Sequence, residues 1–141
     1  MTMQRFAEHI ISLSNNHGGI SNLKLQKILY FTLGEYIKDH GINDLVNDIY
    51  TEPFEAWSYG PVVRSEYFRN QRFGRYNIRR ETTTNSNYNE LNSYFNNNVN
   101  RSISSLIEDS HNRPTWYNNR EAILRNQKII YSLEDLQNDF R

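Results

Sequence analysis

The chain has 141 residues and a mass of 16.9 kDa, room for one domain, residues 1–141, with one modest core. Sixteen Lys and Arg balance sixteen Asp and Glu, so net charge is zero and overall charge cannot drive binding to nucleic acid or an anionic membrane. With no cysteine, disulfides, thiol catalysis and cysteine-held zinc or iron–sulfur centres are excluded, and a cytoplasmic protein is expected.

In chain order, residues 3–14 place Phe6, Ile10 and Leu13 at helical spacing, and Gly18-Gly19 ends that helix. Ser21 or Asn22 then caps a second helix over about 21–39. Its apolar stripe is Leu25, Leu29, Leu33 and Tyr36, widened by Ile28, Tyr30 and Ile37, with Lys24, Lys27, Glu35 and Lys38 opposite. Phe31 falls within the charged face. Either a second element covers it or it is an exposed aromatic anchor for a protein partner. The longest apolar run, Ile28-Leu29-Tyr30-Phe31, is far short of the roughly 18 residues that span a bilayer, so no membrane partner is expected.

Pro53 prevents a long helix in residues 42–57, where Phe54, Ala56 and Trp57 give a weak strand signal. Tyr59-Gly60-Pro61 reads as a turn, with Pro61 at the first position of a helix running through Val62, Val63, Glu66, Tyr67 and Phe68. Alternation at Tyr76 and Ile78 permits a strand and a short hairpin. Half of residues 85–100 are asparagine, yet Tyr88, Leu91, Tyr94 and Phe95 keep helical spacing, so a short helix is expected inside an otherwise variable segment, about 82–100. Further helices carry Ile103, Leu106 and Ile107, then Trp116, Tyr117, Ile123 and Leu124 after Pro114. In the last one Ser132 is the N-cap, Asp135 sits three residues on, and Tyr131 can staple onto Leu136. The fold class is mainly α: a compact helical domain with one short β-hairpin or extended segment.

Catalytic signatures are missing. There is no GxxxxGK or GxGxxG loop, and His9, His17, His40 and His111 have no metal-ligand spacing. Asp109-Ser110-His111 holds hydrolase residue types, but adjacency in sequence is not triad geometry. No catalytic residue, metal ligand or cofactor is therefore assigned. Charge is patterned locally: residues 35–55 carry six acids against Lys38, and residues 64–80 carry Arg64, Arg69, Arg72, Arg75, Arg79 and Arg80 against Glu66. The two blocks either neutralise each other or present two faces. Arginine interleaved with Phe73 and Tyr76 is the best nucleic-acid signal, ranked below a protein interface, and both rank below solvated or internally paired charge.

Three stretches carry a resemblance. Ser21-Asn22-Leu23-Lys24-Leu25-Gln26-Lys27-Ile28-Leu29-Tyr30 follows the pattern L-x-L-Q-K-[LI]-L-Y. Phe54-Glu55-Ala56-Trp57-Ser58-Tyr59-Gly60-Pro61-Val62-Val63, with Tyr67 beyond it, follows E-A-W-x-x-G-P-V…Y. Ser110-His111, Pro114, Trp116, Leu136 and Phe140 follow T-H…P-W…F. Together they resemble the Panacea (SocA-like) antitoxin domain, with Arg64 where that family often has proline and Ser110 in place of threonine. The resemblance implies a non-enzymatic helical domain that neutralises a toxin by direct complex formation. Its alternatives are a phage or mobile-element inhibitor of a host defence effector, of the anti-CRISPR kind, or a proteolytic adaptor. The motif residues Leu25, Gln26, Lys27, Tyr30, Trp57, Gly60, Pro61, Val62, Tyr67, His111 and Trp116 are expected to be scaffold, with Trp57 packed against Leu25 or Leu29. Partner contact falls to Phe31, the six arginines and the asparagine-rich segment.

Overall fold

The computed structural model describes residues 2–141. Among them are nine α-helices and one two-stranded antiparallel sheet, a mainly α domain with a short β-hairpin. In order these are α1 (Met3–Ser14), α2 (Asn22–His40), α3 (Asp44–Ile49), β1 (Phe54–Trp57), β2 (Gly60–Val63), α4 (Arg64–Arg69), α5 (Asn92–Asn98), α6 (Ile103–His111), α7 (Pro114–Asn118), α8 (Arg120–Leu124) and α9 (Leu133–Asp139).

Side-chain caps set the starts of several helices. Thr2, Ser21, Asn43 and Ser102 each accept a backbone N–H three residues ahead. At α9, Ser132 and Asp135 form a reciprocal capping box, and Tyr131 and Leu136 on either side of it are fully buried.

The axis of the fold is α2, against which α1, β2, α4, α5, α6 and α9 all pack. Every residue from 25 to 34 is buried, so this helix has no solvent face along that stretch. Phe31 is fully buried and cannot serve as an exposed anchor. Its ring meets Tyr30 and Phe140 edge-on, and the guanidiniums of Arg101 and Arg113 lie 5.1 and 5.0 Å over it. The charged face of the helical wheel is thus partly an inner face.

Three other expectations are corrected, and one short helix, α3, forms where none was expected. Pro61 lies in β2 and not at a helix start; the register pairs Trp57 with Gly60 and Phe54 with Val63, and α4 begins only at Arg64. The extended signal at Tyr76 and Ile78 yields a single bridge, Ser21 to Asn77, with the Ile78 N–H donating to the Ile20 carbonyl at 2.8 Å. Residues 44–49 form α3, and the helix expected after Pro114 is divided into α7 and α8. On the far side of β1, residues 129–131 run alongside: the Ala56 N–H donates to Ile129 and the Tyr131 N–H to Phe54, both at 2.9 Å.

The asparagine-rich segment is ordered around Tyr88, Leu91, Phe95 and Val99, all buried. His9 pins it to α1. His9 Nδ1 accepts the Asn85 N–H at 2.9 Å, which places the ring proton on Nε2, donating to Asn92 Oδ1 at 2.8 Å. Burial lowers the His9 pKa below its ordinary value, against the weaker opposite effect of Asn92. The unfolded chain therefore binds the proton first, and stability is lost as pH falls from about 6.5 through the lower folded value. In an NMR titration the Asn85 amide resonance should move with the His9 ring on acidification, and His9→Phe should abolish that movement.

Candidate functional site

The three resembling stretches, far apart in sequence, meet at the hairpin. From α2, Gln26 Oε1 accepts the Val63 N–H at 2.9 Å, and its amide donates to Asn22 Oδ1 at 3.1 Å. Asn22 in turn donates to the Tyr67 carbonyl at 2.9 Å. Lys27 Nζ donates to the Pro61 carbonyl at 2.8 Å. From the C-terminal side, Trp116 Nε1 donates to the Trp57 carbonyl at 2.9 Å, and His111 stacks on the Trp116 ring at 3.7 Å. Gly60, at φ +105°, lets the turn close onto Ser110 and Lys27. Nearby, the Tyr30 hydroxyl donates to Asp139 Oδ2 at 2.7 Å, while the N–H and hydroxyl of Thr115 donate to Asp139 Oδ1, both at 2.9 Å. These buried polar groups are directed at one another and at the hairpin backbone. They hold a shape.

Lys27 is fully buried, and burial lowers its pKa from about 10.5 to about 7. Between those values the unfolded chain carries one proton more than the folded one, so this residue makes stability rise with pH, by up to about 1.4 kcal/mol per unit. Below about pH 7 the dependence flattens. Denaturation of wild type and Lys27→Met between about pH 7 and 8.5 should show the wild type gaining on the variant as pH rises. A constant difference would mean that Lys27 stays charged inside the fold.

Strand alternation directs Phe54 and Ala56 to the core and Glu55 and Trp57 to the other face. Trp57 therefore packs outside the layer of Leu25 and Leu29, which corrects the expected contact. Its ring lies 5.0 Å from Tyr67 and 6.3 Å from Phe68. Arg64 lies over Trp57 and Phe68 and forks onto Glu55 at 3.0 and 3.2 Å, while Trp57 Nε1 donates to the same carboxylate at 3.2 Å. Burial pushes the Glu55 carboxyl up, but the hydrogen bonds from Arg64 and Trp57 and the charges of Arg64 and Lys128 together hold it below its ordinary value. Tyr59 and Phe68, 64% and 49% exposed, extend the aromatic ridge into solvent. A hollow of about 430 Å³ flanks the ridge beside Glu55, Arg64, Ile123 and Lys128. Another of about 280 Å³ lies beside Leu23, Tyr59, Val62, Tyr67 and Gly74.

The six arginines separate into two sets. Arg64 binds Glu55; Arg69 binds Glu66 at 3.0 Å; Arg80 bridges Glu66 at 3.4 Å, Glu8 at 3.6 Å and Asn70 at 2.9 Å. Glu66 is buried, which raises its pKa against the opposing charges of Arg69 and Arg80. Arg72, Arg75 and Arg79 have no carboxylate partner among the described residues. The acidic and basic blocks therefore do not cancel block against block: within residues 35–55, Glu55 alone pairs with these arginines, and Glu66 and Glu8 lie outside. Neither Glu66 as an anchor nor Asp139 as a hub was foreseen: Arg69 is one turn from Glu66 in α4, but Arg80 reaches Glu66 from outside that helix, and Tyr30 and Thr115 reach Asp139 from α2 and α7. Among the described residues no three His, Asp or Glu gather as a metal site, and no helix is long and apolar enough to cross a membrane.

Over 43 residues the chain is 54% identical to the Antitoxin SocA of Caulobacter vibrioides (strain NA1000 / CB15N). That stretch is 30% of this chain and 20% of that protein, so the match spans about a fifth of the relative's length. No protein-family model matches the chain, and no solved structure does.

Proposed function

We propose that this chain is a non-enzymatic, antitoxin-like protein of the Panacea (SocA-like) kind, which neutralises a toxin protein in the cytoplasm by forming a direct complex. The observation that carries this reading is the division of labour at the hairpin. Its polar motif residues are turned inward and hydrogen-bonded, while Trp57, Tyr59, Tyr67 and Phe68 form an outward aromatic ridge of the composition that protein interfaces favour. The similarity to an antitoxin supports a toxin as the class of partner. Arg72, Arg75 and Arg79 are the arginines free to meet it, whereas Arg64, Arg69 and Arg80 are engaged within the chain.

The test is co-expression with each protein encoded beside this gene. One of them should arrest growth alone, be relieved by this chain, and co-purify with it. Relief without any complex would contradict the proposal.

A further inference from the structure

We infer that the hollow between Tyr59, Tyr67 and residues 71–74 receives an acidic segment of the protein partner, anchored by one large apolar or aromatic side chain; this rests on the protein-binding reading above. Its lining is mainly apolar, with Leu23, Trp57, Val62 and Tyr67 beside the polar Asn22 and Gln71. Its volume of about 280 Å³ is below the usual range of small-molecule pockets and suits a side chain or two. Gln71 and Gly74 of the following turn complete the lining, and their chain neighbours Arg72 and Arg75 are exposed and lack carboxylate partners among the described residues. Their guanidiniums lie over the rings of Phe73 and Tyr76 at 4.8 and 5.4 Å.

Local acids are already engaged. Glu55 is held by Arg64 and Trp57, Glu66 by Arg69 and Arg80, and Glu52 accepts the Ser65 N–H at 2.9 Å. In a chain of zero net charge, Arg72 and Arg75 therefore place two positive charges, unpaired among the described residues, next in the chain to the lining residues of an apolar hollow. Its complement is an apolar side chain flanked by Asp or Glu. Single-stranded nucleic acid fits less well, because Trp57 offers no open platform: Arg64 covers it and Tyr67 meets its ring at 64°.

The test is selection of random 12-residue peptides on the intact chain and on its Arg72→Glu/Arg75→Glu variant, both checked for equal unfolding midpoints. Selected peptides should carry one Phe, Trp, Leu or Ile among acidic residues. Their affinity, read by fluorescence anisotropy, should fall about ten-fold or more in the charge-reversed variant and clearly in Tyr59→Ala. The charge-reversed variant should instead select basic flanks. Peptides without charge preference, affinity unchanged by charge reversal, or tighter binding of a dT20 oligonucleotide lost in the same variant would each overturn the inference. Growth rescue separates the two readings. If wild type and Arg72→Glu/Arg75→Glu relieve the toxin equally, the docking site is wrong and the antitoxin-like function stands; if wild type gives no relief, that function fails whatever the peptides do.

Discussion

Gly34→Ala is expected to destabilise the protein by about 3–4 kcal/mol, because a methyl group there would occupy the space of the Phe140 ring. Gly34 lies in the enclosed middle of α2, and Phe140 at the end of α9 fills the notch its missing side chain leaves. That ring also packs 5.0 Å from Tyr30 and 5.7 Å from Phe31, beneath the Arg113 guanidinium at 4.2 Å. Glycine within a helix sacrifices roughly 1 kcal/mol relative to alanine, so the substitution gains that much locally and still loses overall. Displacing Phe140 strains the neighbouring Asp139, on which the Tyr30 hydroxyl and Thr115 depend. Urea denaturation should show the loss, and Gly34→Ala/Phe140→Leu should recover part of it. An alanine variant as stable as wild type would show that α9 does not dock in this notch.

Gly60→Ala is expected to cost about 3 kcal/mol through two separate effects. At φ +105° an alanine is strained, and its methyl would lie 2.5 Å from Ser110 Oγ and 3.0 Å from Lys27 Cε. Adding Ser110→Ala should relieve the contact but not the backbone strain, giving partial recovery. The hairpin tip carries Trp57 and Tyr59, so on the proposed antitoxin-like function toxin neutralisation should fall together with stability. Tyr59→Ala, at an exposed position, should lower neutralisation and leave the unfolding midpoint in place. That contrast separates the residues that hold the hairpin from those it displays.

Local rules went far in this chain. The limits of α1 and α2, the capping box at Ser132, the ordered core of the asparagine-rich segment and the glycine at the hairpin turn follow from spacing, caps and backbone preference. Pro61 shows where such rules divide: Gly60-Pro61 suits either a helix start or a strand, and the choice is made by Gln26 on the Val63 N–H and Lys27 on the Pro61 carbonyl. Periodicity describes one helix at a time, so it could not show that Phe31 would be roofed by Arg101 and Arg113. Equally, the spacing of the arginines does not distinguish Arg80, tied to Glu8 and Glu66, from Arg79, which pairs with no carboxylate among the described residues. Gly34 carried a readable signal, a glycine inside an otherwise strong helix, but its cause lies at the other end of the chain.

The proposed neutralisation by direct complex is tested most directly by titrating the activity of a toxin found in the co-expression screen, at fixed concentration, with the purified chain. Inhibition should fall on a straight line to a sharp end-point at a fixed molar ratio, with no dependence on incubation time once mixing is complete. Inhibition that grows with time at substoichiometric amounts of this chain would contradict the account, because it would mean that the toxin is being modified or destroyed by turnover.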